Sequence, residues 1–273
     1  MATPQPGIFA VGTRAHHHLQ FDLVPGASHD DVVTAVARVR EAATTVAGVN
    51  VVVGFAAEPF EMATGVDGFT YPSAQHDLWL WLHSASPDGV FTIARLAAHE
   101  LRDIATVVDE QPTFAFGASQ DLSGFEDGTE NPPIHEAVAL LSDGAVALVQ
   151  RWVHDLDSFD ALELAEREAV FGRTLVGSEE LDPLPENSHV GRVVIEDATG
   201  EELEVFRRST TFGGVQEHGL LFVAFSPDRA RLQRMLDRMA GIEDGVRDRL
   251  TYFSSPTASA WYVVPSLEEL RPT

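Results

Sequence analysis

Two residue types are missing from this 273-residue chain, cysteine and lysine, and each absence removes chemistry. Without cysteine there is no disulfide framework, thiol nucleophile, iron–sulfur cluster, thiolate-ligated haem or CxxCH attachment of haem. Any metal must rest on His, Asp or Glu. All 18 basic residues are arginine, so a Schiff-base lysine and the lysine of a phosphate-binding P-loop are excluded as well. The sequence holds no run of about 18 apolar residues to span a bilayer. Its opening, MATPQPGIFAVGTRAHHH, lacks the basic and long apolar regions of a secretory signal. A soluble, cytoplasmic protein is expected, with no membrane partner. Positive charge is scarce: 18 basic against 42 acidic residues give a formal net charge of −24. Such a field repels phosphate backbones, so nucleic acid is not an expected partner, and it draws in cations and metal ions.

Hydrophobic residues make up 44%, enough for a core. AHHHLQFDL (15–23) predicts a strand, and Ser28 an N-cap ahead of a helix with Val32, Val33, Val36, Val39 and Ala43 at helical spacing. NVVVGF (50–55) and DLWLWLHS (77–84) predict strands, 88–107 a second helix, and TFAFG (113–117) a short strand. The order β-α-β-β-α-β then recurs. AVALVQRWVH (145–154) predicts a strand and 158–171 a helix. HVGRVVIED (189–197) and EELEVFRRS (201–209) predict a hairpin around Ala198-Thr199-Gly200. GLLFVAFS (219–226) predicts a buried strand, and Asp228 to Ala240 a helix. The repeat is one of pattern, without obvious identity between the halves. The expected class is α+β, two ferredoxin-like halves with antiparallel sheets.

The most irregular stretch runs from Asp121 to Pro133, dense in acceptors and turn formers. Asp-Gly and Asn-Pro pairs mark turns, and a polar loop between domains reads much like this. Long irregular loops are also frequent binding loops. Asp127, between Phe125 and Gly128, is a carboxylate whose partial burial would tune it for acid–base work.

GFEDGTENP (124–132) resembles the GxxDG signature of the dye-decolorizing peroxidase family, in the form of its B-type subgroup. NSHVGRVV (187–194), EVFRRSTTFGG (204–214), EHGLLFVAFS (217–226) and GVRDRLTYF (245–253) continue the resemblance in order, as does the opening PQPGIFAVGTRAHHHLQFDL. It covers nearly the whole chain. It implies the dimeric α/β-barrel superfamily, an N-terminal half over 1–120, a distal-haem loop and connection over 121–143, and a haem-binding half over 144–273. The implied cofactor is one non-covalent haem b per chain. The implied activity is oxidation of dyes, phenolics or other one-electron donors by hydrogen peroxide, through a ferryl intermediate. A homo-oligomer is expected. Members of the subgroup are often cargo of encapsulin shells through a C-terminal tail; SLEELRPT closes this chain without one, and no shell partner is expected.

By the same resemblance His189 is the proximal ligand of the haem iron, and Asp248 receives its other ring N–H, with Asp244 as the nearby competitor. A lone histidine is more often a structural residue than a ligand; the absence of cysteine raises its standing. Asp127 and Arg207 are the distal catalytic pair, Arg207 also holding a haem propionate. A carboxylate shuttles the peroxide proton, and a fixed guanidinium stabilises developing charge. Strand alternation sends Arg207 and Arg208 to opposite faces, with Arg208 read as a sheet-surface residue, and puts Ser209 on the Arg207 face. Ser209 stands where the subgroup commonly has asparagine, so it lines the same pocket with a shorter reach.

Several features weigh less. His16 and His18 share a strand face, but a half-exposed strand explains them better than a metal site. Glu130 and Glu202 resemble positions that offer Mn²⁺ a site near the haem edge, though acidic loops are mostly just solvated. Trp79, Trp81, Trp152, Trp261, Tyr252 and Tyr262 are candidates to relay electrons, with core packing the default. Two alternatives to the peroxidase remain: a haem-carrying or haem-delivery protein with incidental activity, and a chlorite-dismutase-like enzyme, against which the GxxDG aspartate speaks.

Overall fold

A computed structural model describes residues 2–118 and 120–272. The alternation of its first strand, β1 (Ala15–Leu23), sorts the molecule into layers: Leu19 and Phe21 face one way, His16, His18 and Gln20 the other. Helix α1 (His29–Ala42) starts at a capping box, in which Ser28 Oγ accepts from Asp31 N (3.1 Å) and the Asp31 carboxylate accepts from Ser28 N (3.3 Å). One further helical turn ends at Gly48, whose φ of 59° only glycine adopts cheaply. Then come β2 (Asn50–Ala56), β3 (Leu78–Ser84), α2 (Pro87–Leu101), capped by Ser86, and β4 (Ala105–Phe114). Val36, Val39, Ile93 and Ala97 of the two helices pack on Leu19, Phe21, Leu80 and Val53.

Helix α3 (Ile134–Leu140) leads into the second half. It contains β5 (Ala145–His154), α4 (Leu156–Asp160), α5 (Leu164–Phe171), α6 (His189–Val193), β6 (Phe206–Arg207), β7 (Thr210–Gly213), β8 (His218–Ser226), α7 (Arg229–Met239) and β9 (Ser254–Val264). The first half orders its strands β4-β1-β3-β2 and the second β7-β8-β5-β9, every pairing antiparallel. Two thin seams join them, Phe55 and Ala56 of β2 to Val263 and Tyr262 of β9, and Phe114 of β4 to Thr211 of β7. With β5 paired to both β8 and β9, the sheet closes into a barrel, and β6 adds to the β8 edge. The architecture is α+β.

The barrel interior draws on both halves: Val52, Trp79, Trp81, Ala147, Phe225 and Tyr262 form one cluster. Buried indoles need acceptors, and the histidines of β1 provide them. Trp81 Nε1 donates to His16 Nδ1 (3.1 Å) and Trp79 Nε1 to His18 Nδ1 (3.3 Å). Burial pushes His16 down to about 4 and His83 to about 2, so both are neutral inside the barrel.

Several expectations are corrected. HVGRVV is no strand: 189–193 form helix α6, capped by Ser188 Oγ, which accepts from Gly191 N (3.2 Å). Val190 and Val193 are three apart, a helical interval that a β-branched run disguises. The hairpin around 198–200 shrinks to the Glu196–Glu202 bridge, and 201–209 to the two residues of β6. The helix expected over 88–107 stops at Leu101, and β4 occupies 105–114 where 113–117 was expected, because Thr106, Val107 and Val108 favour extended backbone. The helix expected over 158–171 is broken into α4 and α5.

Candidate active site

The outer face of β5 and β8 is only partly covered by α7, and a cleft opens beside it. Its walls come from β5 and β8, from α5, α6 and α7, from Leu250 to Ser254, and from the loop 121–130. Phe125, Phe171, Phe222, Met235 and Phe253 are among its apolar lining, and polar and charged groups from the loop 121–130, from β5 and from α6 converge on them.

His189 is the first residue of α6, so the Ser188 cap sets where its ring leaves the backbone. Its Nδ1 lies 2.7 Å from Asp248 Oδ2. Asp248 has no exposed surface, its Oδ1 accepts from Leu250 N (2.9 Å), and its own N–H is tied to Met239 O (2.9 Å). The carboxylate is therefore fixed, and it holds the imidazole with Nδ1 as donor. Nε2 has no hydrogen bond among the described residues, and the ring lines the cleft, which leaves that nitrogen available as a metal ligand. Asp244 is engaged elsewhere, accepting from Arg192 Nη2 (2.7 Å) and Val246 N (3.0 Å).

Asp127 and Arg207 line the same cleft. Burial raises the Asp127 carboxyl above its ordinary value and the charge of Asp121 adds to this, while Arg207, His189 and the Ser209 hydroxyl pull the other way. The backbone of Arg207 is clamped at both ends by Asn131, whose Nδ2 donates to Arg207 O (2.9 Å) and whose Oδ1 accepts from Arg207 N (2.7 Å). Arg207 is 9% exposed, and its guanidinium makes no hydrogen bond among the described residues. An arginine buried without a protein partner is a ready anion site. Ser209 Oγ is buried on the same side, near enough to Asp127 to lower its pKa.

Arg208 does point the other way, but the sheet-surface reading is corrected. It is largely buried, donates to Ile8 O and to Ala10 O (2.9 Å), and lies 5.1 Å from the centre of the Trp81 ring. Glu130 lines the cleft and is engaged by Arg173, while Glu202 lies close enough for Glu130 to help raise its pKa, after burial. His16 and His18 stack against the buried tryptophans rather than standing half exposed. No group of three or more His, Asp or Glu is placed to hold a metal ion among the described residues. Of the six aromatics singled out, Tyr252 alone is substantially exposed, at 54%, and Trp152 lines the cleft.

Residue patterns did not single out Asn131, Asp121, His154 or Arg173. Asn131 read only as half of a turn-forming pair, and the other three are brought to the cleft by contacts between elements distant in sequence.

Residues 118–269 match the family described as Dyp-type peroxidase, C-terminal, and the chain belongs to that family. A dye-decolorizing peroxidase of Brevibacterium linens is 33% identical over 219 residues, covering 75% of this chain and 59% of that protein. The chain thus spans about three-fifths of that relative's length. Among solved structures, the encapsulated DyP-type peroxidase from Mycobacterium smegmatis superposes with a TM-score of 0.91 at 28% identity, over 99% of this chain and 98% of that one. A DypB variant of Rhodococcus jostii in complex with heme gives 0.85 at 30% identity, over 96% and 97%.

Proposed function

We propose that the protein is a haem b peroxidase that uses hydrogen peroxide to oxidise dyes, phenolics or other one-electron donors. One observation carries this: an imidazole fixed by a buried carboxylate presents its free nitrogen to the same cleft into which Asp127 and Arg207 open. The cleft fits the group. Its apolar lining suits a flat macrocycle, His189 Nε2 would hold the iron, and the Arg207 guanidinium would hold a propionate. The Rhodococcus jostii neighbour bound to heme supports the same choice.

A bound haem would supply the iron at which peroxide binds and the redox capacity to take it apart. His189 would hold the iron, and Asp248, accepting the Nδ1 proton, makes that imidazole a stronger donor. Asp127 takes the proton from one peroxide oxygen and returns it to the departing one. A carboxyl raised above its ordinary value is suited to both steps. Arg207 stabilises the negative charge that builds as the O–O bond breaks. A haem carrier has no use for this acid–base pair, and a chlorite-dismutase-like enzyme has no role for Asp127.

The strand orders β4-β1-β3-β2 and β7-β8-β5-β9 support reading the halves as ferredoxin-like, over 1–120 and 144–273, with 121–143 as the distal loop and connection. No helix among the described residues is long and apolar enough to cross a membrane, and a cysteine-free chain suits the reducing cytoplasm, where we place a homo-oligomer. The test is an absorption spectrum after loading with hemin, followed by turnover with peroxide and an anthraquinone dye. A Soret band with dye oxidation is the expected outcome. Binding without turnover would point to a carrier, and chlorite consumption with oxygen release to the other enzyme.

A further inference from the structure

Asp121 lies six positions before Asp127, and hydrogen bonds tie the loop between them into a closed unit. Asp121 N donates to Phe125 O (2.9 Å), Gly124 N to Asp121 O (2.9 Å), and Ser123 N to Asp121 Oδ2 (3.0 Å), while Gln120 bridges Glu126. Phe125 anchors the unit, 2% exposed and stacked on Phe171 with ring centres 4.0 Å apart. Asp127 leaves this unit two residues further on.

The unit is pinned to the barrel through His154. His154, the last residue of β5, puts Nε2 at 3.0 Å from Asp121 Oδ1, and its Nδ1 lies 2.7 Å from Ser254 Oγ, the first residue of β9. The His154 and Asp121 side chains are 9% and 13% exposed, and both line the cleft. Burial opposes the charge on Asp121, but the hydrogen bonds from His154 and Ser123 overcome it and bring that carboxyl down to about 2. Asp121 is thus a fixed negative charge through the working pH range. The groups facing Asp127 are Asp121 from the loop, Arg207 from β6, His189 from α6, and the Ser209 hydroxyl, and Asp121 is the only anion among them.

We propose that Asp121, clamped by His154, is a positioning residue for Asp127: it fixes the loop from which Asp127 enters the cleft, and it supplies the negative charge against which Asp127 exchanges its proton. This rests on the peroxidase reading. The two parts of the role separate by mutation. Asp121→Asn removes the charge and keeps an acceptor for His154; His154→Gln keeps the charge and weakens the anchor.

The experiment is stopped-flow mixing of the hemin-loaded protein with hydrogen peroxide across pH. It is paired with infrared titration of the carboxylic-acid C=O band that Asp127→Asn removes. In Asp121→Asn the acid limb of the peroxide rate and the infrared midpoint should both fall by about one pH unit, as expected when a like charge is withdrawn. Asp121→Glu should restore both. In His154→Gln the rate should drop several-fold at every pH without a fall in the midpoint. A merely structural role would slow both variants and move neither midpoint, and that result overturns the inference while leaving the peroxidase reading intact. Failure of the unsubstituted loaded protein to react with peroxide overturns both.

Discussion

The outer face of β4-β1-β3-β2 is closed by two long helices, α1 with 14 residues and α2 with 15, and Leu19, Phe21, Leu80 and Val53 vanish beneath them. The outer face of β7-β8-β5-β9 has one long helix, α7, and beside it the irregular chain that carries Phe60, Phe69 and Tyr71 and the segment from Val193 to Val205. Where the first half has α1, the second has the fragments α4, α5 and α6 separated by irregular chain, and the freed space is the cleft. The same strand order thus makes a packed core in one half and a binding site in the other. What differs is whether one continuous helix fills the crossover after the first strand. Residues that would be core in the first half, such as Trp152, Leu220 and Phe222, become the floor of the site in the second.

If that contrast holds, removing a group from the cleft should cost function, and removing one from the helix-covered face should cost stability. The largest effect belongs to His189→Ala, which should abolish stable haem retention, read as loss of the Soret band after gel filtration, while far-ultraviolet circular dichroism stays unchanged. Next, Asp127→Ala and Arg207→Leu should slow the reaction with peroxide by roughly 10²-fold or more. Arg208→Leu should leave that rate alone and lower the melting temperature instead, since its guanidinium packs on Trp81 and two carbonyls of the opening turn. A crippled Arg208→Leu would show the two arginines exchanged between faces. Leu80→Ala should cost about 2–5 kcal/mol in urea unfolding with the haem spectrum intact; a changed spectrum would mean that the halves are coupled more closely than their thin seams suggest.

The barrel interior belongs to both halves and gives a subtler test. His16 and His83 are held neutral, with folded pKa values below the ordinary 6.5. The unfolded chain therefore binds more protons than the folded one as pH drops below about 6.5, and stability must fall in that direction. Stability should be fully present above pH 6.5 and decline toward pH 4, where His16 itself titrates, with the His83 contribution lost further down. Urea midpoints at pH 7 and pH 5 measure this, and equal midpoints would contradict the buried neutral assignment. The smallest effect is on substrate choice. With a net charge of −24, oxidation of an anionic dye should rise modestly with added salt at constant pH, because screening weakens repulsion beyond about 8 Å. A fall would reveal a locally positive patch at the cleft mouth.

The same contrast explains how far the sequence could be read. In the first half a helix must present one apolar stripe to the sheet, so Val32, Val36 and Val39 announce α1, and the buried strand 15–23 stands at its expected bounds. In the second half β5 and α7 are legible for the same reason. Between 156 and 209 the apolar residues answer to a cleft rather than to a packed face. Their spacing carries no clean period there, and a strand was expected where α6 forms. Ser188 was the missed signal, a cap residue directly before His189. The site residues themselves were named through a resemblance, and the structure brings His189, Asp248, Asp127 and Arg207 to one place. The anchors Asn131 and His154 were hidden because their partners lie 76 and 33 positions away.

In the proposed function the second half's cleft holds iron through His189, with Asp248 as the partner that makes the imidazole a stronger ligand. Resonance Raman spectroscopy of the ferrous, hemin-loaded protein tests it most directly. An iron–histidine stretching band should move to lower frequency in Asp248→Asn, where the acceptor for Nδ1–H loses its charge. A band that is the same in both proteins would show that the ligand is not the histidine held 2.7 Å from Asp248, and the assignment of the cleft would fall with it.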